Sequence, residues 1–221
     1  MIVFHHIPKT GGVSIITNII NSNPQLKVSK KDNIFPSRKL EQIPDNSCDF
    51  LHGHFNYSEI SSNSIKFAFF RHPITRLSST FYACKKLLKN SGIANIRNIQ
   101  SPILDFCFVG DARIKIHKNQ VWFLDRIEDF IDVFLYTKGT FNIKFIPELF
   151  VPDYGNSYDF IGITEKMNES IIKLNKFIKT DVNSMTVSNT SNSIPITYRL
   201  KELEDFYCKD IEKWQEIYNS Y

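Results

Sequence analysis

The 221-residue chain predicts an α/β fold of three layers, a central parallel sheet flanked by helices. Three stretches carry that expectation, each a short β-prone apolar run that stops abruptly before a segment of helical character. IVFHHI (2–7) precedes VSIITNIINS (13–22), IKFAFF (65–70) precedes ITRLSSTFYACKKLLKN (74–90), and YDFIGI (158–163) precedes TEKMNESIIKLNKFIK. Repeated strand, turn and helix favours parallel strands, because each helix can serve as the crossover a parallel pair requires.

The first run closes at Pro8 and the Gly11-Gly12 pair, after which Val13, Ile16, Ile19 and Ile20 recur at the spacing of one helix face. Residues 23–47 are polar and contain prolines; they read as a loop or irregular hairpin ahead of a second strand at CDFLHGH (48–54). The run at 65–70 is stopped by Arg71-His72-Pro73, and Pro73 fits just outside or at the first turn of the next helix. Residues 91–157 are aromatic-rich and read as helices with a long loop near KGTFNIKFIPELFVPDYGNS. Thr164 is placed to N-cap the helix after the strand at 158–163, and the C-terminal segment reads as one or two helices. No repeat or low-complexity segment interrupts the chain, so residues 1–221 are expected to form a single domain.

Composition is that of an ordinary globular protein, 42% hydrophobic and 23% charged. The net charge of +4 is spread along the chain rather than gathered in a tail, which argues against nucleic acid as the partner. Cys48, Cys84, Cys107 and Cys208 stand far apart, without a C-x-x-C pair, and read as reduced packing residues rather than zinc ligands. MIVFHHIPKT has no leader-like charged and apolar regions, and no apolar stretch reaches membrane-spanning length; a cytoplasmic protein is expected.

In HIPKTGGVS, Lys9, Thr10, Gly11 and Gly12 join the first strand to the first helix. Glycine and helix-start amides can point at an anion, the helix dipole favours negative charge there, and Lys9 adds a cation. A tight turn whose glycines serve geometry only is the competing reading. An ATP-binding G-x-x-x-x-G-K-[ST] loop puts its lysine after the glycines, whereas here it precedes them. In FFRHPITRLSS, Arg71 ends a strand and Ser79 falls in the second turn of the following helix, with Arg76 nearby. Taken alone, these arginines read as solvated or paired with acids. Two anion-gripping turns, each after a strand, point to a ligand with two separated phosphates and to a P-loop-like arrangement of the three-layer fold.

HIPKTGGVS resembles the 5′-phosphosulfate loop, commonly PKTGGTS, of sulfotransferases that use 3′-phosphoadenosine 5′-phosphosulfate (PAPS). FFRHPITRLSSTFY is similar to their 3′-phosphate motif, R-[DN]-P-x-x-R-x-x-S, with the same separation of arginine and serine. The branch it resembles contains the heparan sulfate 2-O and 6-O sulfotransferases and their bacterial relatives. LHGHFNYSEI, NQVWFL and YDFIGITEKMNESI resemble later landmarks of that branch in the same order. The resemblance implies that Lys9 and the amides of Thr10, Gly11, Gly12, Val13 and Ser14 bind the 5′-phosphosulfate, and that Arg71 and Ser79 bind the 3′-phosphate. It further implies that Lys9 neutralises the bridging oxygen as the sulfuryl group leaves. PAPS is then the co-substrate, adenosine 3′,5′-bisphosphate (PAP) the product, and no metal is needed. Val13 stands where threonine is usual, His72 where an acid or amide is usual, and Trp122 where an arginine is more common.

Transfer to a hydroxyl needs a base, and a neutral imidazole suits that task at neutral pH. His52 and His54 of LHGHF are the candidates. In the resembling branch the base is the histidine of a G-H pair after a strand, which matches His54; His52 and Glu59 are the alternatives. His6 is expected to support the first turn, with His5 on the other face of the strand by alternation, and His117 at the surface. Phe67, Phe69 and Phe70 read as a buried strand, VSNTSNS as a solvated linker, and the basic KVSKK and CKKLLK runs as solvated faces. The expected activity is sulfuryl transfer from PAPS to a carbohydrate or glycoconjugate hydroxyl. The rivals are a kinase-like phosphoryl transferase, which would need a lysine and hydroxyl after the glycines, and a non-catalytic nucleotide-binding relative.

Overall fold

The computed structural model describes residues 1–32, 48–54, 60, 63–90, 126–136, 158–179 and 194–221. Two compact units make up the chain, one of Met1–His72, Phe150–Thr190 and Glu212–Tyr221, the other of Pro73–Leu149 and Ser191–Ile211. The strands are β1 (Ile2–His5), β2 (Val28–Asp32), β3 (Phe50–His54), β4 (Ile65–Phe70) and β5 (Phe160–Ile163). The helices are α1 (Gly12–Ser22), α2 (Pro73–Asn90), α3 (Ile127–Tyr136), α4 (Met167–Ile178), α5 (Leu200–Phe206) and α6 (Cys208–Asn219), with a 3-10 turn at Thr164–Lys166.

All five strands lie in the first unit, in the order β2-β3-β1-β4-β5, and every neighbouring pair is parallel. The α/β fold with a central parallel sheet is therefore as the sequence predicts. Alternation along each strand feeds two apolar layers. On one face Phe4, Phe50, Phe67 and Phe69 pack with Ile15 and Ile19 of α1 and with Ile171, Leu174 and Ile178 of α4. Phe4 stacks on Phe67 with ring centroids 4.7 Å apart. Burial of each such side chain contributes about 1.5–3 kcal/mol relative to exposure. On the other face Ile7, Ala68, Phe70 and Ile163 meet Trp214, Ile217 and Tyr218 from the C-terminal part of α6. Lys166 Nζ lies 4.1 Å from the centroid of the Tyr218 ring and donates to the Tyr218 carbonyl at 3.1 Å, fixing that part of α6 to the turn after β5.

Two local expectations differ from the structure. The polar stretch at 23–47 contains β2, whose sequence VSKKD has a single strongly apolar residue and so no alternation to announce it. Sheet pairing makes it a strand: it runs beside β3 from Val28 opposite Phe50 to Asp32 opposite His54, and Val28 packs against the core on the α1 face. Thr164 makes no side-chain cap, because the residues after β5 form a 3-10 turn before α4 begins. Its hydroxyl is instead within hydrogen-bonding distance of two carbonyls, those of Thr10 and Phe70.

In the second unit aromatic contacts join the helices. Phe81 of α2 lies against Phe130 of α3, ring centroids 5.5 Å apart, and Phe134 meets Phe206 and Tyr207 at 5.0 and 5.8 Å. Arg199 Nη1 donates to Asp132 Oδ1 at 2.8 Å, tying the residue before α5 to α3. Only α3 is described from the aromatic-rich 91–157 stretch, and the long loop expected near its end lies outside the described residues. The C-terminal segment forms two helices, α5 and α6.

Candidate functional site

From β1 the chain leaves toward the β3 and β2 side of the sheet, and from β4 toward β5. Where neighbouring strands diverge in this way, open α/β sheets leave a crevice beyond their carboxyl ends, the usual place for a ligand. The turns that carry Lys9 and Arg71 both emerge there, one after His5 and the other after Phe70.

Within the first turn, Lys9 and Gly11 adopt left-handed conformations with φ of 67° and 84°. Thr10 is buried and its Oγ1 donates to the Ile7 carbonyl at 2.7 Å, so its hydroxyl closes the turn. α1 starts at Gly12, one residue ahead of Val13, and the Ile15 N–H bonds back to the Gly11 carbonyl at 3.3 Å. The amides of Gly12, Val13 and Ser14 thus form the helix's first turn, where backbone N–H groups lack intrahelical acceptors and the dipole is positive. Val13 is 50% exposed, so its side chain lies toward solvent, while Ser14 is buried. A Cβ on Gly12 would come within 2.0 Å of the His6 ring, so only glycine lets that imidazole lie over the helix start.

The second turn reaches the first directly: Arg71 Nη1 donates to the Lys9 carbonyl at 3.4 Å. Burial pushes the Arg71 guanidinium below its ordinary value while the Glu165 carboxylate opposes the shift, and arginine stays cationic throughout. Glu165 Oε1 accepts the His72 N–H at 2.9 Å. Ser79 is buried in the second turn of α2, as is Arg76 one turn earlier; both belong to the second unit.

His54 ends β3 beside the first turn. Its Nδ1 donates to the His6 carbonyl at 2.6 Å, which fixes the tautomer and makes Nε2 the basic nitrogen of the neutral ring. The His6 and His54 rings stack at 4.3 Å. His52, on the same strand, is buried next to Phe50 with centroids 5.7 Å apart. His5 occupies the opposite face, as alternation predicts, and its Nδ1 hydrogen-bonds the Tyr158 hydroxyl at 2.5 Å. Glu59 and Trp122 lie outside the described residues. The residues that sequence reasoning gave no role here are Thr164 and Glu165; their signal was an acid and a hydroxyl immediately after a strand.

Burial, then the neighbouring His54, His52, His5 and Lys30, hold the His6 imidazole well below its ordinary value of 6.5. A histidine depressed on folding binds fewer protons folded than unfolded, so stability falls as pH drops below about 6.5 toward the folded value, by up to about 1.4 kcal/mol per pH unit. Thermal midpoints should decline over that acid window, and His6→Asn should flatten the decline. An unchanged slope in the variant would assign the effect to other groups.

A family model, that of the sulfotransferase family, matches residues 1–218. The chain belongs to the sulfotransferase family. No curated protein sequence matches this sulfotransferase. Among solved structures it is similar to mouse sulfotransferase SULT7A1 complexed with PAP, at 16% identity and a TM-score of 0.38, over 86% of this chain and 67% of that one. Family membership makes sulfuryl transfer the chemistry of this sulfotransferase. Among its described residues no helix is long and apolar enough to cross a membrane, and no three His, Cys, Asp or Glu side chains converge as a metal site.

Proposed function

We propose that this sulfotransferase moves a sulfuryl group from PAPS to a hydroxyl of a carbohydrate or glycoconjugate. Lys9 and the amides of Thr10 to Ser14 take the 5′-phosphosulfate, Arg71 and Ser79 the 3′-phosphate, and His54 is the base. The observation that carries this reading is the bond from Arg71 to the Lys9 carbonyl, which joins two cationic turns at the carboxyl ends of β1 and β4. A ligand with two separated phosphates fits such a pair better than one with a single chain of phosphates. The exposed Val13 side chain is compatible with a position used through its backbone alone. The carbohydrate class rests on the resemblance to the heparan sulfate branch.

In this mechanism His54 Nε2 accepts the proton of the acceptor hydroxyl while Nδ1 stays bonded to the His6 carbonyl. The new oxygen–sulfur bond forms opposite the breaking one, and Lys9 offsets the charge that develops on the bridging oxygen. The products are a sulfate ester, PAP and the proton on His54. A calorimetric titration of PAP against ATP with magnesium tests the donor: preference for ATP would overturn the reading. Mass spectrometry of glycans and lipids from cells with and without the protein, searching for one added sulfate, tests the acceptor. Arg71→Ala should weaken PAP about 10- to 100-fold, the scale of a charge-assisted hydrogen bond, and should leave 5′-AMP nearly unchanged. Equal weakening of both nucleotides would remove Arg71 from the 3′-phosphate.

A further inference from the structure

We propose that Thr164 and Glu165, at the exit of β5, are positioning residues that brace the two anion turns, so that a nucleotide carrying both phosphates is gripped at a fixed spacing. The inference rests on the donor reading above and adds residues to which that reading gives no role. Thr164 Oγ1 lies 2.9 Å from the Thr10 carbonyl and 2.9 Å from the Phe70 carbonyl. One of these carbonyls belongs to the turn after β1, the other to the last residue of β4. The hydroxyl has one proton to share between them, so its position holds both turns to a single point. Glu165 Oε1 accepts the N–H of His72, the residue after Arg71, and its charge favours the Arg71 cation. Met167 completes the contact, since its Cε lies 2.6 Å from where a Cβ on Gly11 would be.

A carboxylate next to an anion site repels the ligand, and that cost is offset only by what else the carboxylate does for the site. Here it fixes the backbone from which Arg71 projects. Two anchors on one ligand multiply their affinities only when their spacing matches it; slack between them lowers the effective concentration of the second anchor. A brace of this kind therefore acts on ligands that span both turns and spares those that use one.

The test is a set of binding titrations with PAP, 5′-AMP and 3′-AMP. For Thr164→Val, which keeps the side-chain shape, we expect PAP to weaken about tenfold and each monophosphate by less than about twofold. Thr164→Ser, which restores the hydroxyl, should recover most of the PAP affinity and guards against a valine variant that fails to fold. Equal loss for all three ligands, no loss for any, or a serine variant that behaves like valine would each overturn the brace. If the unsubstituted protein binds no PAP, the donor reading falls and the brace falls with it; if it binds PAP but Thr164→Val shows no selectivity, the brace alone is lost.

Discussion

Lys9→Gly is expected to abolish most sulfuryl transfer and at the same time to raise the melting temperature. Lys9 has φ of 67°, a conformation that costs a residue with a Cβ about 1–2 kcal/mol and costs glycine little. Part of that gain is offset by the greater freedom of glycine in the unfolded chain. A strained lysine in a turn that already contains two glycines is in keeping with the role proposed for its side chain at the bridging oxygen. Loss of one preorganised charge at a developing anion lowers kcat by about 10²–10³-fold. Lys9→Ala separates the two effects, because alanine keeps the Cβ: it should lose activity like glycine without the gain in stability. A Lys9→Gly protein that transfers sulfuryl groups at the normal rate would remove lysine from the mechanism.

His54→Ala should leave PAP affinity within about twofold while kcat falls by about 10²–10⁴-fold, the range of a lost general base. What favours this residue over His52 is its bond to the His6 carbonyl. That bond persists when the ring is protonated and strengthens as charge appears, so it favours uptake of the acceptor's proton. Activity of the unsubstituted enzyme should rise with pH as the base loses its proton. Its stacking partner His6 is held well below 6.5 by burial and by the neighbouring histidines and Lys30. A His54→Ala enzyme with the normal rate on its acceptor would sink the assignment and turn attention to His52 and Glu59.

Much of the fold was legible because the central strands are apolar and end in recognisable stops. IVFHHI, IKFAFF and YDFIGI combine β-prone residues with Pro, Arg-His-Pro or Thr-Glu at their ends, and each became a strand of the sheet. VSKKD was not legible: its place beside β3 is decided by the neighbour it pairs with, not by its own side chains. The same holds for the candidate site. Gly11 and Gly12 announce the first turn, but nothing local announces a left-handed Lys9, since lysine has no preference for that region. Thr164 has the position and chemistry of a helix cap, and its actual partners lie 154 and 94 residues away in the chain. Such partners belong to the folded arrangement, and spacing alone cannot reveal them.

His5 and His6 are the same side chain at consecutive positions, yet one is bonded to Tyr158 beneath the sheet and the other is stacked on His54 above it. A slip of β1 by one residue would exchange them while leaving a histidine on each face, so the polar pattern by itself guards the register weakly. The protection comes from the neighbours, Val3 and Phe4, which are both fully buried and differ in bulk. Fidelity of strand alignment during folding therefore depends on the apolar residues before the histidine pair, and a Phe4→Val chain would lose the size difference that distinguishes the correct alignment from its shifted copy.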